Sequence, residues 1–216
     1  MGAGSKKNTM KLFLAALFAL VTSCASGQNY PFAKTFMNGQ IILKDGTKRN
    51  GQIKWFPDQN EKLKFRKTEK SAIEKFSPEA LSGFIVDTLH YVSLFNFDVF
   101  ADDYALWGRQ TKVKHSFGQL LDSGSFNIYF VLVTFYSALS GSLQSYPNFL
   151  FEKKSDSVSQ YAAFPYGTRM RAKKYEKARE MLYDFFRDYP GIVDKLKGWK
   201  QTDDFFSIVD LMKTMN

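Results

Sequence analysis

Hydrophobic and polar positions alternate along the first half of the chain and recur at helical spacing near its end. Residues 39–44 are apolar and β-branched around Ile41, Ile42 and Leu43. Asp45-Gly46 follows and predicts a two-residue hairpin turn, because glycine takes positive φ without a steric cost. The return strand is expected over residues 47–56, where Ile53 and Trp55 alternate with Gln52 and Lys54 before Pro57-Asp58 breaks the run. In residues 61–67, Leu63 and Phe65 alternate with Lys62, Lys64 and Arg66, a period of two with one buried and one cationic face. These segments predict a three-stranded meander. Further strands are expected over residues 72–76, 83–86 and 91–97, with Ser77-Pro78-Glu79 and Asp87-Thr88 as turns. Residues 100–114 show no period and are expected to be irregular. Residues 116–121 are expected as one helical turn, stopped by Ser123-Gly124.

The most apolar stretch after the N-terminal region is residues 126–139, and no charge occurs between Asp122 and Glu152. Asn127, Thr134, Ser137 and Ser140 interrupt it, and its Ile, Val and aromatic content favours a buried central strand over a membrane span. Residues 149–151 and 157–163 are further strand candidates around a turn at 153–156. After Gly167 the period changes. Tyr175, Ala178, Leu182, Phe185, Phe186 and Tyr189 fall at helical spacings, and Pro190-Gly191 is expected to end that helix. Ile192, Val193 and Leu196 suggest a short second helix closed by Gly198. Thr202 is an N-cap candidate for a third, with Asp203 and Asp204 in its first turn and an apolar face of Phe205, Phe206, Ile208, Val209 and Met212. The predicted class is α+β: a mostly antiparallel sheet or partly open barrel over about residues 36–163, followed by a helical segment over about 171–215 packed on it.

The N-terminus has the layout of an export signal. Lys6, Lys7 and Lys11 precede residues 12–21, ten apolar residues without a charge. That suits a signal core of about 7–15 residues and falls short of the about 20 needed to span a bilayer. Met10 is an alternative start. Val21-Thr22-Ser23-Cys24 resembles a bacterial lipobox, in which the cysteine is acylated and becomes the first residue. The competing reading is ordinary cleavage after Gly27, leaving Gln28 first. The expected organisation is a signal and cleavage region over residues 1–27, a tether over 28–35 and a single α+β domain over 36–216.

Composition narrows the function classes. With 22 Phe, 44% hydrophobic residues and 24% charged residues the chain can build a core. One Cys and two His exclude a disulfide framework and leave few soft metal ligands, so no cofactor is expected. The net charge of +9 is concentrated: residues 44–75 hold ten Lys and Arg against five Asp and Glu, and residues 169–200 hold the same numbers. Such charge suits nucleic acid, anionic lipid or solubility. Export argues against nucleic acid. The expected partners are a membrane, through lipid or surface charge, and an envelope protein or glycan. Lys48, Arg49, Lys54 and Lys64 are the candidate surface-binding residues and Cys24 the candidate lipidation site.

Catalytic signals are sparse. Residues 2–7 lack the spacing of a phosphate loop, and no G-x-S-x-G elbow occurs. Asp98, Asp102 and Asp103 with His90 and His115 are the one acid–histidine set, whose spacing matches no metal motif. Glu152, Asp156, Glu176 and Glu180 read as surface charges. Tyr161, Phe164 and Tyr166 with Arg169 and Arg171 suggest either a stacking platform for a sugar or peptide, or core packing where sheet meets helix.

The pattern Gly39, Ile41, Leu43, Asp45, Gly46, Thr47, then Gly51 and Ile53, resembles the opening of a family of uncharacterised exported proteins of Gram-negative bacteria. Phe76-Ser77-Pro78 with Gly83-Phe84, and Tyr175, Leu182, Phe185, Tyr189-Pro190 and Ile192, extend the likeness over most of residues 39–200. The family usually carries Asp where this chain has Thr47, and residues 95–114 show no match. The resemblance implies an exported fold set by glycines, turns and core residues, and brings no catalytic residue. The expected function is a non-catalytic, lipid-anchored binding or structural module of the cell envelope. The alternative is a hydrolase-type enzyme with its site near Asp98 and His115.

Overall fold

The computed structural model describes residues 30–58, 60–101, 110–137, 141–153, 159–166, 172–199 and 207–216. Residues 32–216 form one compact unit. Its elements are α1 (Pro31–Lys34), β1 (Met37–Leu43), β2 (Lys48–Lys54), β3 (Leu63–Arg66), β4 (Glu74–Phe76), β5 (Leu81–Val86), β6 (Leu89–Phe100), β7 (Gln110–Ser123), β8 (Phe126–Ser137), β9 (Ser142–Lys153), β10 (Gln160–Pro165), α2 (Ala172–Phe185), α3 (Pro190–Gly198) and α4 (Ser207–Lys213). The ten strands make one open sheet in the order β10-β9-β8-β7-β6-β5-β1-β2-β3-β4, antiparallel throughout, and the C-terminal helices pack on it. The fold is α+β.

Local chemistry accounts for the elements. The β1–β2 hairpin forms at Asp45-Gly46, but over three residues rather than two. The Gly46 N–H donates to the Leu43 carbonyl (3.0 Å), the Leu43 N–H to the Thr47 carbonyl (2.8 Å), and Gly46 takes φ +84°. A turn followed by a left-handed glycine is the next commonest hairpin loop after the two-residue type. The Asp45 carboxylate accepts from the Thr47 N–H (2.8 Å) and is held below the usual carboxylate pKa by that bond. Gly51 serves close approach: a Cβ there would lie 2.5 Å from both the Arg66 carbonyl oxygen and the Phe65 ring.

Several expectations are corrected. Residues 116–121 are not a helical turn but the middle of β7, where Ser116 pairs with Leu94 and Gly118 with Val92. Ser116 is fully buried, and Gly118 makes room for the Leu94 side chain, so what reads as weak polar punctuation is close packing. The stretch 100–114, expected to be irregular, contributes Gln110 onward to the same strand. Pro190 opens α3 rather than ending its predecessor, because the first helical position needs no N–H and favours the φ of proline. Within the expected tether, Pro31–Lys34 form a helical turn whose Phe32 is buried. Of the segment 126–139, Phe126–Ser137 are a strand and residues 138–139 lie outside the described residues; no helix among the described residues is long and apolar enough to cross a membrane. Residues 128–131 are buried on both faces, whereas Tyr136 and Leu143, paired at the far end, are 67% and 69% exposed. The Thr202 cap, Asp203, Asp204, Phe205, Phe206 and the 154–156 turn lie outside the described residues.

Two aromatic cores hold the sheet. Trp55, at the end of β2, meets Phe84, Tyr91 and Phe117 edge-on at 5.4–5.5 Å and stacks on Phe32 at 6.3 Å. Phe117 lies on β7, four strands from β2, so the sheet curls around this cluster. The second core lies under the helices. Phe186 packs on Phe126 and Phe151, and Phe164 packs on Tyr175 and Trp199. At Asn96, whose φ is +54°, the β6 side chains that enter this second core pass from even-numbered Leu94 to odd-numbered Phe97 and Val99. Asparagine tolerates that left-handed region better than most side chains. Beyond it, β6 is bridged to β9 by the buried Asn148. The Asn148 Oδ1 accepts from the Phe100 N–H (2.9 Å), and its Nδ2 donates to the Phe100 carbonyl (3.1 Å). This side chain does the work of a missing strand neighbour.

Candidate functional site

The cationic face predicted from alternation is real, and register sorts its members. Antiparallel partners point to the same side of a sheet. Lys54 of β2 pairs with Lys64 of β3, which pairs with Lys75 of β4. Three lysines therefore stand in one row across three strands, at a strand spacing of about 4.8 Å. None of the ion pairs among the described residues engages them. Lys48 points to the same side, at the opposite end of β2.

Arg49 points the other way. It pairs with Glu74, which raises its own pKa and lowers that of Glu74, and its guanidinium lies 4.9 Å from the Phe65 ring centre. Arg49 thus belongs to the packed side of the hairpin, apart from Lys48, Lys54 and Lys64. One-residue alternation separates the two sides, but only the partner at Glu74 shows that Arg49 is engaged. Lys75 was absent from the predicted set because β4 has three residues, too few to reveal a period.

Beside the lysine row the same face carries an open groove of 790 Å³. Its floor holds two cross-strand amide pairs, Asn38 with Gln52 and Gln40 with Asn50. The segment Lys67-Thr68-Glu69 borders one side and Asp87 the other.

The acid–histidine set is not gathered among the described residues. His90 and Asp98 are exposed and eight positions apart on β6, opposite Ile85 and Lys112 respectively. The His115 Nδ1 pairs with the Glu79 carboxylate. Asp102 and Asp103 lie outside the described residues, and no group of three potential metal ligands occurs among those described. Phe164 and Tyr166 pack into the core, Tyr166 against Phe130 and Phe149, while Tyr161 points to the opposite side toward Phe97. Arg169 and Arg171 lie outside the described residues, as does Cys24.

Glu152, expected as a surface charge, is buried, with 9% exposure. Register puts Asn127 of β8 and Tyr161 of β10 on either side of it. Its Oε2 accepts from the Tyr129 hydroxyl (2.6 Å) and from Asn127 Nδ2 (2.8 Å). Burial drives the carboxyl pKa up, and hydrogen bonds from Ser159, Tyr129, Asn127 and Tyr161 outweigh it, leaving the value below the usual one. Burial, reinforced by the nearby carboxylate, raises Tyr129 and pushes Tyr161 up to about 12. A carboxylate held this way is a poor proton acceptor at neutral pH, and its role is to tie three strands together. The sequence signal was indirect: the first charge after the uncharged residues 123–151 follows Phe149-Leu150-Phe151.

A group whose folded pKa is depressed stabilises the fold above its unfolded pKa and loses that contribution as pH falls through the folded value. Glu152→Gln is therefore expected to cost about 1–3 kcal/mol near neutral pH. The difference from wild type should narrow once pH drops below the ordinary carboxylate range. Urea unfolding of both proteins across pH measures it. A constant difference at all pH values would contradict the assignment.

Of Glu176 and Glu180, both are exposed as expected; Asp156 lies outside the described residues. No protein-family model matches the chain, and no curated protein or solved structure is similar enough to be matched to it.

Proposed function

We propose that the chain is an exported, non-catalytic module of the bacterial cell envelope, lipid-anchored at Cys24, that rests its lysine row on an anionic membrane surface. The observation that carries this reading is the register Lys54–Lys64–Lys75. Like charges directly opposite one another on a sheet are destabilising by tenths of a kcal/mol to about 1 kcal/mol per pair. Three in a row, without an acidic partner among the described residues, form a surface that gains from contact with fixed negative charge. The lipobox-like Val21-Thr22-Ser23-Cys24 and the resemblance to exported proteins support the address. The dispersal of His90, Asp98 and His115 supports a non-catalytic role.

Each lysine near an anionic leaflet is worth about 1 kcal/mol, so replacing Lys54, Lys64 and Lys75 together by glutamine should weaken binding to phosphatidylglycerol vesicles by roughly 100-fold. The measurement uses the unacylated Cys24→Ser chain, so that lipid insertion does not mask the surface term. Arg49→Gln should leave vesicle binding unchanged, because that side chain is on the other face. Undiminished binding by the triple variant, or equal binding to phosphatidylcholine vesicles, would overturn the reading.

A further inference from the structure

We propose that the groove beside the lysine row binds a neutral oligosaccharide through its four amide side chains. The groove lies on the interior of the sheet, over β1 and β2, and its 790 Å³ falls within the range of about 300–1,000 Å³ typical of ligand sites.

The orientation of the amides is set by two internal bonds. Gln40 Nε2 donates to Asn50 Oδ1 (2.8 Å), and Arg66 Nε donates to Gln52 Oε1 (2.8 Å). Those bonds leave the Gln40 carbonyl oxygen, the Asn50 and Gln52 NH₂ groups and the whole Asn38 amide without a hydrogen-bond partner among the described residues. The floor thus offers both donors and acceptors, paired across strands. A sugar hydroxyl both donates and accepts, and adjacent hydroxyls present this pair repeatedly, which a planar amide meets with its own NH₂ and C=O. Ile85 supplies an apolar patch for the C–H face of a sugar ring.

Other ligand classes fit less well. The rim carries Glu69 and Asp87 against Lys67, so a polyanion gains nothing there, in contrast to the lysine row. An extended peptide binds a sheet by adding to a free edge. Both edges of β1 are already occupied, by β2 and β5. Among the groove's lining side chains only Ile85 is large and apolar, which leaves no succession of pockets for peptide side chains.

The test titrates the exported full-length chain, purified in detergent, with N-acetylglucosamine and glucose trisaccharides and with trialanine. The side-chain NH₂ resonances of Asn38 and Asn50 are followed by NMR. Saturable shifts are expected with at least one trisaccharide and none with trialanine. Asn38→Ala combined with Asn50→Ala should weaken that binding by about tenfold or more, the loss expected for one or two hydrogen bonds. Both residues are exposed, so the fold should be unaffected, as the remaining backbone resonances would show. The triple lysine variant should keep sugar binding, which separates this site from the membrane surface. No shift with any trisaccharide at about 10 mM, equal shifts with trialanine, or undiminished binding by the double alanine variant would overturn the proposal.

Discussion

Trp55→Ala is expected to reduce the unfolding free energy by about 3–5 kcal/mol, as large aromatic truncations in packed cores do. A domain of ordinary stability has about 5–15 kcal/mol in all, so much of the population could unfold. The magnitude follows from position. Trp55 is 3% exposed and touches Phe32, Phe84, Tyr91 and Phe117, which come from α1, β5, β6 and β7. Its indole N–H donates to the Glu61 carbonyl (3.2 Å), which alanine leaves without that donor. Edge-to-face pairs add about 0.5–1.5 kcal/mol each beyond area burial. The cavity would open among these aromatic rings, where the sheet curls. Tyr136→Ala is the matched control: that ring is 67% exposed, and its loss should change stability by less than about 0.5 kcal/mol. Urea denaturation of the two variants gives the comparison. A Trp55→Ala loss below about 1 kcal/mol would mean that the aromatic cluster does not hold the curl.

The parts of this fold legible in the sequence were those dictated by neighbours a few residues apart. Alternation at Ile53, Trp55, Leu63 and Phe65 marked strands, and the change of period after Gly167 marked helices. What escaped depended on distant partners. Ser116 and Gly118 look like turn residues until Leu94 is placed beside them. Glu152 looks solvated until Asn127, Tyr129 and Tyr161 surround it. Phe32 looks like part of a tether until Trp55 stacks on it. The cationic face was legible as a face, but the lysine row needed β3 to β4 register, and the separation of Arg49 needed Glu74. The amide groove was not visible at all, since Asn38, Gln40, Asn50 and Gln52 become neighbours only when β1 and β2 pair.

Cys24→Ser is expected to have the largest effect on location. Acylation at Cys24 would place several acyl chains on the first residue, and at about 0.8 kcal/mol per buried CH₂ two or more chains anchor stably where one does not. The variant should move from the membrane fraction to the soluble periplasmic fraction, or persist as an uncleaved precursor. The helical turn at Pro31–Lys34 leaves six residues, 25–30, as the link to the anchor, which is at most about 22 Å of chain when fully extended. With Cys24 acylated, so short a link would keep the folded unit close to the bilayer that the lysine row is proposed to meet. The most direct test is the intact mass of the wild-type chain extracted from envelope membranes. The expected mass is that of a chain beginning at Cys24 and carrying acyl groups, recovered with the membranes. A soluble protein of unmodified mass beginning at Gln28 would contradict both the anchor and the membrane-facing role built upon it.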